Sequence, residues 1–207
     1  MATNRMSIPL FPLGAGLYPD GLLALRIFEV RYLDMVKRCL KDKTPFGVVR
    51  LEQGSEVRKP GVTEKFSAVG ALAEILEADA LQPALLLLRC RGTERFRVVT
   101  CVPGKYGLWM AEVETIAADD PEEIPWELQS AADKLGQVIA GLQKQGVVEE
   151  QMPILRPYRL DECGWVANRW AEMLPLAASV KQSLLEEMRP KERLRRVLQA
   201  MDEMLGR

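Results

Sequence analysis

At residue 117 the hydrophobic pattern of this chain changes period, and that change limits what the chain can fold into. Up to that point apolar residues come in short runs, several of them alternating, cut every few positions by glycine or proline. Beyond it they recur at helical spacing almost to the end. Between the two lies Asp119-Asp120-Pro121-Glu122-Glu123-Ile124-Pro125, acidic and proline-rich. The expectation is an α+β chain of two parts: residues 1–118 rich in strand, and residues 119–207 a helical bundle. A chain of 207 residues can bury roughly 70% of its unfolded surface, enough for a core without disulfides.

The densest local signals fall at residues 8–43. Ile8, Leu10, Phe11 and Leu13 form an apolar run broken by Pro9 and Pro12, which suits an edge strand because proline has no N–H for a ladder. Pro19-Asp20-Gly21 predicts a reversal, and Leu22, Leu23, Leu25 and Ile27 a buried strand. From Glu29 the spacing becomes helical, with Val30, Leu33, Val36 (Met35 beside it) and Leu40 on one face. Further strands are expected at 46–51, 68–78, 84–88, 95–101 and 108–116, with a turn at 91–94. The segment 84–88 has no polar interruption and reads as buried on both faces. Residues 52–65 form a charged loop long enough to be mobile or functional. About seven strands with one inserted helix suit a small, partly closed barrel, because helical crossovers are too few for a parallel sheet.

In the second half, Leu128, Ala131, Leu135, Val138 and Leu142 predict a helix closed by Gly146. A second is expected from about Asp161, a plausible N-cap, to Pro175. Two more cover roughly 178–188 and 190–205, the last with Pro190 in its first position.

The chemistry is mostly absent. With no histidine in the chain, imidazole acid–base work, Ser-His-Asp and Cys-His nucleophiles and His-ligated metals are excluded. Neither phosphate-cradling glycine motif occurs. Cys39, Cys90, Cys101 and Cys163 are scattered without metal-site spacing and read as buried free thiols of a reducing compartment. No cofactor and no metal is expected. The carboxylates at Asp119, Asp120, Glu122 and Glu123 read as a solvated linker at a helix entrance. Residues 1–118 hold 16 Lys and Arg against 13 Asp and Glu, and residues 119–207 hold 12 against 16. A balance near +3 beside one near −4 lacks the basic field of a non-specific nucleic-acid binder. No signal peptide and no apolar run near the ~20 residues of a membrane span is found, so the expected location is cytoplasmic.

Several strings carry a resemblance. Ile8-Pro9-Leu10-Phe11-Pro12-Leu13, Tyr18-Pro19, and Leu25-Arg26-Ile27-Phe28-Glu29 followed by Arg31-Tyr32 look like the opening of a Lon-protease N-terminal domain. Phe46-Gly47-Val48-Val49, Val69-Gly70, Glu74-Ile75 and Gly92 with Arg95-Phe96-Arg97 follow in that family's order. So do Leu174-Pro175-Leu176 and Lys181-Gln182 with Leu184-Leu185-Glu186. The chain departs from the family pattern at Ala177, where a serine N-cap is usual, and at Arg189, where aspartate is usual.

The resemblance implies a PUA-like β pseudobarrel followed by helices, and non-catalytic recognition of unfolded or degron-bearing polypeptide. The chain would be a copy without the family's ATPase and peptidase, gripping extended or apolar segments in a groove where barrel meets helices. Ser179 and Lys181, two residues apart on a helix, point to different sides and do not form the family's catalytic dyad. Arg26, Glu29, Arg31 and Tyr32, the polar members of the signature, with Phe28 among them, either line a ligand groove or tie barrel to helix. Tyr18, Tyr106 and Trp109 at turns are candidate contacts for a polypeptide, or hairpin packing. Trp165 and Trp170 read as core. Arg91, Arg95 and Arg97 form a basic group that also fits a charged edge. The rival readings are a PUA-like RNA-binding module, disfavoured by charge, and a scaffold for one folded protein.

Overall fold

In the computed structural model of the chain, residues 5–57, 61, 64–82 and 84–206 are described. Pro60, within the loop expected over 52–65, and Pro83, just before the strand expected at 84–88, lie outside them. The chain divides into two compact units, Met1–Ala118 and Asp119–Arg207.

The first unit holds β1 (Arg5–Leu13), β2 (Leu22–Ile27), α1 (Val30–Asp42), β3 (Phe46–Gln53), β4 (Lys65–Gln82), β5 (Leu85–Pro103) and β6 (Trp109–Ile116). Their order is β2-β5-β4-β3-β1-β6, and β5 also pairs with β6. Five strands therefore close on themselves, and β2 is attached outside the ring, along the first half of β5. All pairs are antiparallel except β1 with β3. Ile8, Leu10, Val49, Leu72, Phe96, Ala111 and Val113 fill the barrel. Phe96 sets the spacing of its walls: a Cβ on Gly47 would lie 2.7 Å from its ring. A larger cluster, including Phe11, Tyr32, Met35, Val36, Phe46 and Leu88, packs α1 on the outside.

Four expectations for this unit need correcting. The strands number six among the described residues, because β5 runs straight through 91–94. Gly92 is there for a close approach, since its Cβ would collide with the Tyr18 carbonyl oxygen. β1 is an interior strand, yet its first half pairs only with β6 and its last residues only with β3, meeting at Leu10. Pro9 and Pro12 each fall where one side is unpartnered, which leaves room for a residue that has no N–H. The inward face of α1 is Arg31, Tyr32, Met35, Val36 and Cys39, rotated from the expected one, and Val30 and Leu40 are exposed. The segment Leu85–Leu87 is half-buried, lying in a two-sided arm with only β2 and β4 beside it.

The second unit holds α2 (Gln129–Lys144), α3 (Cys163–Met173), α4 (Ala178–Glu186) and α5 (Pro190–Leu205). α3 is buried from Cys163 to Ala171, and its Trp170 Nε1 donates to the Ala131 carbonyl at 2.9 Å. Its N-cap is Glu162, without a side-chain bond, so Asp161 does not cap it. The acidic segment is clamped rather than merely solvated. Asp119 accepts from the buried Arg193 guanidinium at 2.6 Å, and the Glu122 carboxylate accepts from the Lys191 N–H at 3.2 Å. Glu122 thus supplies, from far along the chain, the cap that Arg189 does not give α5. No helix among the described residues is long and apolar enough to cross a membrane.

Candidate binding cleft

The Tyr18-Pro19-Asp20-Gly21 reversal sets up the site. Gly21 N donates to the Tyr18 carbonyl at 3.0 Å, Asp20 N to Gly92 O at 2.8 Å, and Gly92 N to Gly21 O at 2.8 Å. With Asp20 in the left-handed region at φ 60°, this is a β-bulge that starts β2 against β5. β2 then alternates, with Leu25 and Ile27 inward and Ala24 and Arg26 exposed. Glu29 ends the strand as the N-cap of α1.

Between β2, the end of β1 and the start of α1 lies an open cleft of about 350 Å³. Phe11, Leu13, Leu23, Leu25 and Tyr32 form its walls, Arg26, Glu29 and Glu56 supply charge, and Phe28 and Val57 stand at its mouth. Phe28 is 53% exposed and Val57 47%. The Glu56 carboxylate is engaged, accepting from the Gly14 N–H at 2.6 Å. Glu29 is paired with Arg31 at 3.2 Å. Arg26 has no hydrogen-bond or ion-pair partner among the described residues.

Arg31 lies behind this wall. Its guanidinium stacks over Tyr32 at 4.4 Å, pairs with Glu64 at 3.4 Å, and donates to the carbonyls of Gly107 and Glu56, each at 3.4 Å. Burial works against its charge, but Tyr32, Glu29 and Glu64 more than offset that, and its pKa is raised. Burial likewise pushes the Tyr32 phenol well above its ordinary range. The Trp109 indole N–H donates to the other Glu64 oxygen, and its ring meets Phe66 edge-on at 5.6 Å.

Of the eight residues singled out from sequence, Arg26, Phe28, Glu29 and Tyr32 line one cleft. Arg31 sits behind it and Trp109 is linked to it through Glu64. Tyr106 is exposed, in the left-handed region at φ 57°, with Lys105 Nζ 4.7 Å from its ring. Tyr18, expected either as a partly exposed contact or as hairpin packing, is 1% exposed, which removes the contact and leaves the packing. Glu56, Val57 and Glu64 were missed individually, although the loop's length and charge flagged the segment. Trp126 was missed too, at 88% exposure in the second unit; its signal was a tryptophan directly after the proline-rich linker.

Two other clefts offer less. One of about 510 Å³ under the end of α1 is lined by Cys39, Lys43, Thr44 and Glu74, and Glu74 is bound to Arg91 at 2.7 Å. The other, beside α2, is shallow. Burial pushes the thiols up, Cys90 to about 12 and Cys101 and Cys163 to about 11, which disfavours the thiolate form that a nucleophile needs. Ser179 is exposed, while Lys181 Nζ donates to the Glu172 carbonyl at the end of α3, so no dyad forms. No cluster of metal-ligating side chains occurs among the described residues.

A family model described as the ATP-dependent protease La (LON) substrate-binding domain matches residues 7–203. A Lon protease of Aquifex aeolicus (strain VF5) is 27% identical over 189 residues, 87% of this chain. The match spans 22% of that protease's length. The crystal structure of a Lon N-terminal domain protein from Xanthomonas campestris superposes with a TM-score of 0.72 at 33% identity, covering 93% of this chain and 97% of that one. The N-terminal domain of a Mycobacterium avium complex Lon protease shares the fold, with a TM-score of 0.61 at 16% identity over 94% of this chain and 97% of the other.

Proposed function

The chain belongs to the Lon protease substrate-binding domain family, and from that premise we propose that it is a non-catalytic module that grips unfolded or degron-bearing polypeptide segments in the cleft beside β2. The observation that carries the reading is the cleft itself. It has apolar walls, two exposed apolar side chains at its mouth, and a charge lining in which both glutamates are already engaged. That chemistry favours apolar side chains of an extended chain over a phosphate backbone, which calls for clustered basic groups. Phe28 and Val57 contact the guest and Tyr32 floors the site. Arg31 and Trp109 hold the walls in place from behind, and Tyr106 stands apart as a secondary contact. Affinity is weak, in the micromolar range, because an unfolded partner loses chain entropy on docking.

The test is fluorescence anisotropy with labelled casein as the unfolded probe. Phe28→Ala should weaken binding about fivefold to tenfold, the loss of one exposed aromatic anchor, without lowering the melting temperature. Val99→Ala, an exposed apolar residue of β5 away from the cleft, is the control. Equal binding by parent and Phe28→Ala, or equal losses from both variants, would remove the cleft from the account. Tight binding of labelled RNA that collapses with salt would favour the nucleic-acid reading instead.

A further inference from the structure

We infer that the guest of this cleft binds as an added β-strand along the free edge of β2, as an extended segment in which apolar and acidic residues alternate. This rests on the polypeptide-binding reading of the same cleft and specifies how the chain is held. Gly92 N donates to Gly21 O, and the β2–β5 register continues from Leu22 opposite Arg91 to Ile27 opposite Leu86. In an antiparallel ladder the pairs that exchange both bonds recur every second residue. Starting from Gly21, those pairs fall at Leu23, Leu25 and Ile27. The backbone N–H and C=O groups of Leu22, Ala24 and Arg26 therefore point away from β5, toward the cleft side. Among the described residues no strand pairs with that edge, and no backbone bond outside the ladder engages those three residues.

An unpaired strand edge recognises main chain. A strand laid there would share the pleat of β2, so one set of its side chains would follow Leu23 and Leu25 inward to the apolar walls. The other set would lie on the exposed face, beside Arg26. Among the described residues Arg26 is the cleft charge left without a partner, while Glu29 and Glu56 are engaged. The complement is an apolar residue inward and an acidic one outward, repeated.

The experiment uses labelled decapeptides of alternating valine and aspartate, or valine and lysine, titrated into the full chain. The valine–aspartate peptide should bind more tightly, and Arg26→Glu should reverse that preference. N-methylation of one alternate set of its amides should weaken binding about tenfold or more, and of the other set less than about twofold. Ala24→Pro removes an outward donor without touching the β5 ladder and should produce a similar loss. If peptide binding is indifferent to N-methylation and to Ala24→Pro but falls with Phe28→Ala, the cleft reading stands and strand addition is overturned. A dimer of the chain that excludes the peptide and dissolves with Ala24→Pro would make a second copy the occupant, and would also overturn it. If neither decapeptide nor casein binds, both readings fall.

Discussion

Replacing Arg31 by methionine separates a residue that holds the site together from one that touches the guest. Arg31 is 3% exposed, and the Glu64 and Glu29 carboxylates it faces are 8% and 19% exposed. Removing one partner of a buried ion pair leaves the other charge uncompensated and costs about 3–5 kcal/mol. Glu64 would keep the Trp109 indole as a donor and Glu29 retains some water, so the lower end, about 3 kcal/mol, is expected. For a chain of this size that corresponds to a melting temperature lower by about 6–12 °C. Urea and thermal unfolding followed by tryptophan fluorescence measure it. Glu64→Gln added to Arg31→Met should then cost little, because the charge it removes has already lost its partner, with a coupling of about 1–3 kcal/mol in the double-mutant cycle. An Arg31→Met protein within about 0.5 kcal/mol of the parent, the range of an ordinary surface change, would refute the assignment of Arg31 as the hub behind the cleft.

Gly70→Ala would drive its Cβ into the Val48 carbonyl oxygen and to 2.8 Å from the Phe96 ring; since the obstacle is backbone, a loss of about 3 kcal/mol is expected, and an unchanged urea midpoint would contradict the barrel packing. Ala177→Ser should stabilise by about 1 kcal/mol, because the N-cap of α4 has no side-chain bond; no gain in the urea midpoint would mean that the first-turn N–H groups are satisfied another way. The Arg189 guanidinium bonded to Glu187, helped by Arg196, lowers the Glu187 carboxyl from 4.5 to about 2. A folded value below the unfolded one stabilises at higher pH, so this contribution is present above about pH 4.5 and lost as pH falls toward 2. Glu187→Gln should flatten the stability profile in that window, and an identical profile would rule the interaction out.

What could be read in the sequence follows from the range of the forces involved. The boundaries of α1 and α5 were legible because the periodicity and Pro190 act within a few residues. The face of α1 was not, since Arg31 turns inward only because Glu64, 33 residues away, meets it there. Gly92 looked like a turn because a glycine that clears another segment's carbonyl has the same local signature as one that reverses the chain. The acidic linker looked like a dipole partner for its own helix, whereas Asp119 is held by Arg193, 74 residues on. Half of the selected site residues line the cleft because the signature string runs along β2 into α1, which are its walls. For Tyr18 the choice between contact and packing was not legible, because position in a turn does not determine whether a ring is exposed or buried.

Amide hydrogen exchange across the full chain, with and without saturating casein, tests the central claim most directly. If the cleft beside β2 grips unfolded polypeptide, exchange should slow at residues 22–27 and at the adjoining start of α1, with little change in the second unit. Slowing confined to the second unit around Trp126, or to the Arg91–Arg97 stretch of β5, or none anywhere, would contradict it.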